Sequence, residues 1–194
     1  MTSNSNIIRE GVGADLAVAL VRPKFPHNVG AAVRAASCFN VPQVWFTGDR
    51  FEFDKSRKGA RLPREERMKG YNKVEICHGD YFFDAFAAGV TPVAVDLVPG
   101  TENLITFEHP ENALYVFGPE DGSLSSVELR HCHRFVSIPM AHCANLSSAV
   151  YMVLYDRHAK RVREGLEDPI SLDETRGSQG WEEPDTMMLE VALP

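Results

Sequence analysis

The stretch ALYVFGPEDGSLS, residues 113–125, joins an unbroken apolar run to a turn rich in glycine and carboxylate. Ala113–Phe117 lacks polar alternation, the pattern of a strand covered on both faces, as in parallel sheets. In the turn, Gly118 and Gly122 let the backbone approach a ligand closely, and Pro119 restricts the loop. Glu120 adds a carboxylate, and Ser123 or Ser125 can cap a following helix. Open α/β sheets bind their ligands at such carboxyl ends of strands.

Outward from this point, Asp15–Val21 (DLAVALV), Gln43–Thr47, Lys73–Ile76, Pro92–Asp96 and Phe135–Ile138 also read as buried strands. In Asn28–Phe39, Val29, Val33, Ala36 and Phe39 make one helical stripe. Tyr81–Ala88 predicts a short helix. Asn145–Glu164 predicts a long one, with Leu146, Ala149, Val150, Val153 and Leu154 on one face and Gly165 as its stop. Strands alternating with helices predict an α/β fold with a mostly parallel six-stranded sheet and helices on both faces. A lead (1–14), one domain (15–165) and an acidic tail (166–194) are the expected divisions.

With 194 residues, 44% of them hydrophobic and 24% charged, the chain can bury a core without staples. No apolar run approaches the ~20 residues of a membrane helix. Met1–Gly13 lacks a signal peptide's charged start and apolar stretch, so a cytoplasmic location without membrane contact is expected. Cys38, Cys77, Cys132 and Cys143 form no Cys-x-x-Cys pair. The neighbours His131, Cys132 and His133 diverge on any regular element, so the expectation is reduced, mostly buried thiols and no metal.

Net charge is −7, but it is unevenly spread. Arg50–Lys73 holds nine Lys or Arg against four Asp or Glu, a local +5 on a chain whose remainder carries −12. Such a patch can steer a polyanion, and Arg57, Lys58, Arg61, Arg64 and Arg67 are its candidate contacts. A solvated helix or loop has the same composition.

Two further polar segments sit at strand ends. Pro26–Arg34 (PHNVGAAVR) follows the first strand; Asn28 suits a helix cap, and Arg34, roughly 120° round the helix, suits a surface ion pair equally well. Ile138-Pro139-Met140 precedes Cys143–Val150 (CANLSSAV), where Asn145, Ser147 and Ser148 open the long helix. Ile138 and Met140 can wall an adenine or thioether, and Asn145 offers donors and acceptors.

In their order and character the three segments resemble the motifs of SpoU-type (TrmH-like) RNA ribose methyltransferases of the SPOUT superfamily. The motifs appear as NVGAAVRAASCFNV (Asn28–Val41), VFGPEDGSLS (Val116–Ser125), and IPM with NLSSAVYMVLYD (Asn145–Asp156). The resemblance covers about Asp15 to His158. Each motif alone is weak; three in order, each at a strand end, are specific. Ser123 stands before Leu124 where the family has Gly-Leu-Ser directly. The third motif is shorter than usual, with Cys143 and Ala144 where Ser and Leu are common.

The resemblance implies a C-terminal deep trefoil knot, a homodimer whose active site is completed across the interface, and S-adenosylmethionine as cofactor. By matched position the cofactor would meet Val95, Asp96, Leu97, Phe117, Gly118, Gly122, Ile138, Met140, Asn145 and Leu146. Arg34 would be the central catalytic residue, orienting the ribose hydroxyl and phosphate. Asn28 and Glu120 would orient Arg34 and the ribose, and Asn145 and Ser147 would shape the acceptor site. The implied activity is methylation of a ribose 2′-hydroxyl in RNA, with tRNA favoured. Ribosomal RNA is the alternative acceptor, and a non-catalytic RNA-binding member of the fold is the alternative function. A Rossmann- or flavodoxin-type domain is disfavoured, because no phosphate fingerprint follows the first strand.

Overall fold

The chain runs β1 (Leu16–Leu20), α1 (Pro26–Cys38), β2 (Gln43–Phe46), β3 (Glu75–His78), β4 (Thr91–Val95), β5 (Glu102–Asn103), β6 (Ala113–Phe117), α2 (Ser126–Leu129), β7 (Arg134–Ser137) and α3 (Leu146–Arg163). This computed structural model describes residues 12–50 and 73–171. The chain divides between Ala159 and Lys160 into two units. Among the described residues, seven strands form one sheet in the order β3-β2-β1-β6-β4-β7-β5, and every pairing is parallel.

The unbroken apolar runs are explained by burial of both sheet faces. Val18, Leu20, Val44, Phe46, Val93, Tyr115 and Phe117 face one core layer, packed with Val29, Val33 and Ala36 of α1 and Val150, Val153 and Leu154 of α3. The alternate residues Ala17, Ala19, Trp45, Ala94, Leu114 and Val116 face the other, with Phe82, Leu124 and Cys132. α3 ends as expected at Gly165: its φ is +71°, Leu166 N–H bonds to the Arg161 carbonyl, and Gly165 N–H to that of Val162.

Three expectations need correction. The third strand runs Glu75–His78 rather than Lys73–Ile76. A seventh strand, β5, is two exposed residues long, too short to carry an apolar pattern. Tyr81–Ala88 holds only a single 3-10 turn, Phe83–Ala85. The Ala85 carbonyl accepts from Gly13 N–H, Phe86 is extended, and its ring packs on Trp45 at 5.8 Å, so tertiary contacts override a weak helix preference.

One local feature frames the site. Val95 of β4 and Glu102 of β5 both pair with Val136 of β7. Residues 96–101 therefore arch over the carboxyl end of β7 from one flank to the other. Chain leaving Ser137 emerges beside that arch, next to the carboxyl end of β4.

Candidate active site

The fixed point of the site is Asn28. α1 starts two residues earlier than expected, with Pro26 in its first turn and Phe25 as an N-cap lacking a side-chain bond. Asn28 is therefore not a cap but a buried bridge, 1% exposed. Its Nδ2 donates to Glu120 Oε1 at 2.6 Å, and its Oδ1 accepts from Asn145 Nδ2 at 3.1 Å. Asn145 Oδ1 in turn accepts from Ser147 N–H at 2.9 Å and Ser147 Oγ at 2.7 Å. The Asn145 carbonyl takes the first helical bond from Ala149, so Asn145 caps α3 while reaching back to α1. One network thus ties together residues 92 and 117 positions apart.

Glu120 anchors the glycine turn to the start of α1. Besides Asn28, its carboxylate accepts Lys24 N–H at 2.6 Å and Phe25 N–H at 3.4 Å. Burial pushes its pKa up, but these bonds outweigh burial and hold the carboxyl below the ordinary range. On the other side, Asp96 Oδ2 accepts from Leu124 N–H at 2.7 Å and Oδ1 from Leu97 N–H at 2.7 Å. A Cβ on Gly118 would lie 3.1 Å from Leu124 N and 3.5 Å from Asp96 Oδ2, so this glycine is required by close approach. On Gly122 it would meet only Pro119 Cγ, at 3.6 Å. Ser125 rather than Ser123 caps α2, in a capping box with Glu128.

These turns enclose a cavity of about 330 Å³, the size expected of a small-molecule site. Val95, Asp96, Leu97, Phe117, Gly118, Gly122, Ile138, Met140 and Leu146 line it; Asn145 does not. Glu120 also lines it, as do Ser123, Ser137 and the run Ala141–Ala144. Sequence reasoning noted Cys143 as standing where serine is common but gave neither it nor His142 a place in the site; both lie between the two parts of the third motif. Leu97 and Met140 are exposed apolar side chains at this wall, an arrangement suited to a flat aromatic ring. Among the described residues, no Lys or Arg lines the cavity.

Asn28, Glu120, Asn145 and Ser147 are brought together; Arg34 is not. It is half-buried on α1 and absent from the cavity wall. Arg57, Lys58, Arg61, Arg64 and Arg67 lie outside the described residues. Two cations flank the turn at Asp121: Lys24, which sequence reasoning missed, and Arg50, the first residue of the basic stretch. All four cysteines are free: Cys77 and Cys132 are buried and pushed up to about 12, chiefly by burial, whereas Cys38 and Cys143 are exposed. Among the described residues, no group of three or more His, Cys, Asp or Glu is placed to hold a metal, and no helix is long and apolar enough to cross a membrane.

Residues 15–155 match the SpoU rRNA Methylase family. The tRNA (cytidine-2′-O-)-methyltransferase TrmJ of Methanocaldococcus jannaschii is 30% identical over 159 residues, 76% of this chain and 69% of that protein. The fold is similar to that of the A. aeolicus TrmH/SpoU tRNA modifying enzyme, with TM-score 0.65 and 22% identity over 84% of this chain and 85% of that one. It is also similar to the SpoU methyltransferase AviRb of Streptomyces viridochromogenes, solved in complex with AdoMet, with TM-score 0.60 and 18% identity over 84% and 65% of the two chains.

Proposed function

The chain belongs to the SpoU methylase family, and on that premise we propose that it methylates a ribose 2′-hydroxyl in transfer RNA, with S-adenosylmethionine as methyl donor. The observation that carries the reading is the Asn28–Glu120–Asn145 network, which ties the first motif segment to the two segments that line the cavity. The tRNA preference rests on the similarity to TrmJ, 30% identical over 159 residues.

The cavity suits the cofactor. Its wall combines apolar faces for a purine and a thioether (Leu97, Ile138, Met140, Leu146) with backbone exposed at the Gly118 cradle, which a Cβ would crowd. When bound, S-adenosylmethionine supplies an electrophilic methyl on a sulfonium, so no metal is needed to generate the electrophile. The chain's own residues bind and orient. Phe117–Glu120, Gly122, Ile138, Met140 and Leu146 would hold the cofactor, with Asp96 and Leu97 beside it. Glu120 stays ionised at neutral pH and fixes the glycine turn through Asn28.

A ribose hydroxyl is a weak nucleophile and needs a positioned group to manage its proton. Arg34 is that group. An arginine does not deprotonate near neutrality, so its role is electrostatic: it orients the hydroxyl and the adjoining phosphate. Among the described residues no Lys or Arg lines the cavity, and in this reading Arg34 reaches it from the second subunit of a homodimer packed through α1 and α3. The exposed ring of Tyr155, which lies with Tyr151 and His158 around Phe39, belongs to that face. The reading includes a cytoplasmic enzyme whose methyltransferase domain is residues 15–165. It also includes a trefoil knot, for which the arch over β7 is the supporting feature.

Methyl transfer from labelled S-adenosylmethionine to bulk RNA of a strain lacking the gene tests the reading. Nuclease digestion should return 2′-O-methylated nucleosides from the transfer RNA fraction. Label on a base, or in ribosomal RNA alone, would replace this assignment.

A further inference from the structure

Beside the cavity, the chain between β1 and α1 makes a strained turn that carries two cations. Arg22 has φ +46°, a left-handed conformation unfavourable for a side chain of its length. It is held there: Arg22 N–H donates to Thr47 Oγ1 at 3.0 Å, and Thr47 N–H to the Leu20 carbonyl at 3.0 Å. Gly48 lies against it with φ +78°, where an added Cβ would sit 3.0 Å from Arg22 Cγ. Two adjacent strand ends, β1 and β2, are thus bent back to back. The bend delivers Lys24 and Arg50 to the same carboxylate.

That carboxylate is Asp121, next to the cavity-lining Glu120. Arg50 grips it with both terminal nitrogens, Nη1 to Oδ1 at 2.7 Å and Nη2 to Oδ2 at 2.6 Å, and Lys24 Nζ lies 3.4 Å from Oδ2. Arg50 Nη1 also reaches the Arg22 carbonyl at 3.4 Å. Glu120 does not compete for these side chains, since its oxygens are taken by Asn28 and by the backbone of Lys24 and Phe25. Side-chain exposures of 45% for Lys24, 33% for Arg50 and 43% for Asp121 leave the cluster open to solvent. Ion pairs so exposed contribute little to stability, so a bent backbone to assemble one is poorly explained as a fold-stabilising device. The forked grip on two oxygens is the geometry by which arginine takes phosphate.

We propose that Lys24 and Arg50 form a phosphodiester-binding clamp for the RNA strand entering the cavity, and that Asp121 occupies the clamp until RNA displaces it. The inference rests on the RNA methyltransferase reading and adds to it a site and a competitor. Arg50 is also the first residue of the basic stretch 50–73, so the clamp and that stretch follow one another along the chain. Asp121 screens the clamp from other anions, and an RNA that also fills the acceptor site outcompetes it.

The test compares K24Q/R50Q and D121N with the wild type, using bulk transfer RNA over a sodium chloride titration. S-adenosylmethionine affinity by calorimetry reports on the integrity of the site. K24Q/R50Q should flatten the slope of log K against log salt by about 1.4, two contacts at about 0.7 each, with cofactor affinity unchanged. D121N should tighten RNA binding, because it vacates the clamp. A slope unmoved in K24Q/R50Q overturns the clamp. So does D121N weakening RNA binding alongside K24Q/R50Q, which would make the cluster a mere brace for the rim. If the wild type transfers methyl to RNA while the slope stays put, the clamp alone fails. If the wild type neither binds nor methylates any RNA, the functional reading fails with it.

Discussion

The carboxylate of Glu120 and the amide of Asn28 meet at 2.6 Å across 92 residues of chain, joining the turn after β6 to the first turn of α1. Since Glu120 also receives two backbone N–H groups, its charge is used structurally as well as at the cavity.

Glu120→Gln should therefore destabilise the protein in a pH-dependent way. The pKa of Glu120 is depressed in the folded state, so its contribution is fully present above the unfolded carboxyl value of about 4.3. It is lost as pH falls through the lower folded value. Urea unfolding should show wild type ahead of Glu120→Gln by about 1 kcal/mol near pH 7, the figure for a charged hydrogen bond discounted for its half-exposed position. The gap should close in acid. A gap that stays constant with pH would mean that the charge is not what matters.

Asn28 and Asn145 should behave as one unit. Each alanine substitution strands a partner's polar group, at a cost of about 1–3 kcal/mol, and Asn145→Ala also removes the cap of α3. In the double variant the second loss should be smaller by about 0.5–1.5 kcal/mol, the coupling of residues in direct contact. A double-mutant cycle measured by chemical denaturation reads this term. Additivity would show that the 3.1 Å bond is incidental.

What the sequence makes legible here follows burial. β1 and β6 are unbroken apolar runs because both sheet faces are covered. β5 is two exposed residues whose only reason to be a strand is the neighbouring β7, so nothing local announces it. Asn28 is readable as important but not in its role: a cap and a buried bridge use the same amide, and only the position of Asn145, 117 residues away, distinguishes them. Arg50 is legible as the start of a basic stretch, but its pairing with Asp121, 71 residues away, is not.

The two glycines of the turn should respond differently to alanine. At Gly118 the new methyl meets backbone of Leu124 at 3.1 Å, and backbone cannot swing aside. Relief requires the turn to move off the cavity wall, costing about 1–3 kcal/mol of the kind seen on overpacking. That corresponds to about ten- to hundredfold weaker S-adenosylmethionine binding in Gly118→Ala. Gly122→Ala places its methyl at ordinary contact distance from Pro119 and should bind within about twofold of wild type, under 0.5 kcal/mol. Calorimetry on the pair decides; equal losses would remove the close-approach argument.

Arg34 poses the strongest test of the proposed shared active site, since among the described residues no Lys or Arg lines the cavity. Arg34→Ala should bind S-adenosylmethionine normally and transfer almost no methyl. Gly118→Val should keep Arg34 and lose the cofactor. Co-expressed in equal amounts, the two inactive chains assort so that about half the dimers are mixed, and each mixed dimer has one cofactor site facing one intact Arg34. Activity should therefore return to about a quarter of wild type. If Arg34 instead serves the cavity of its own chain, neither site of a mixed dimer is complete, and the mixture stays inactive.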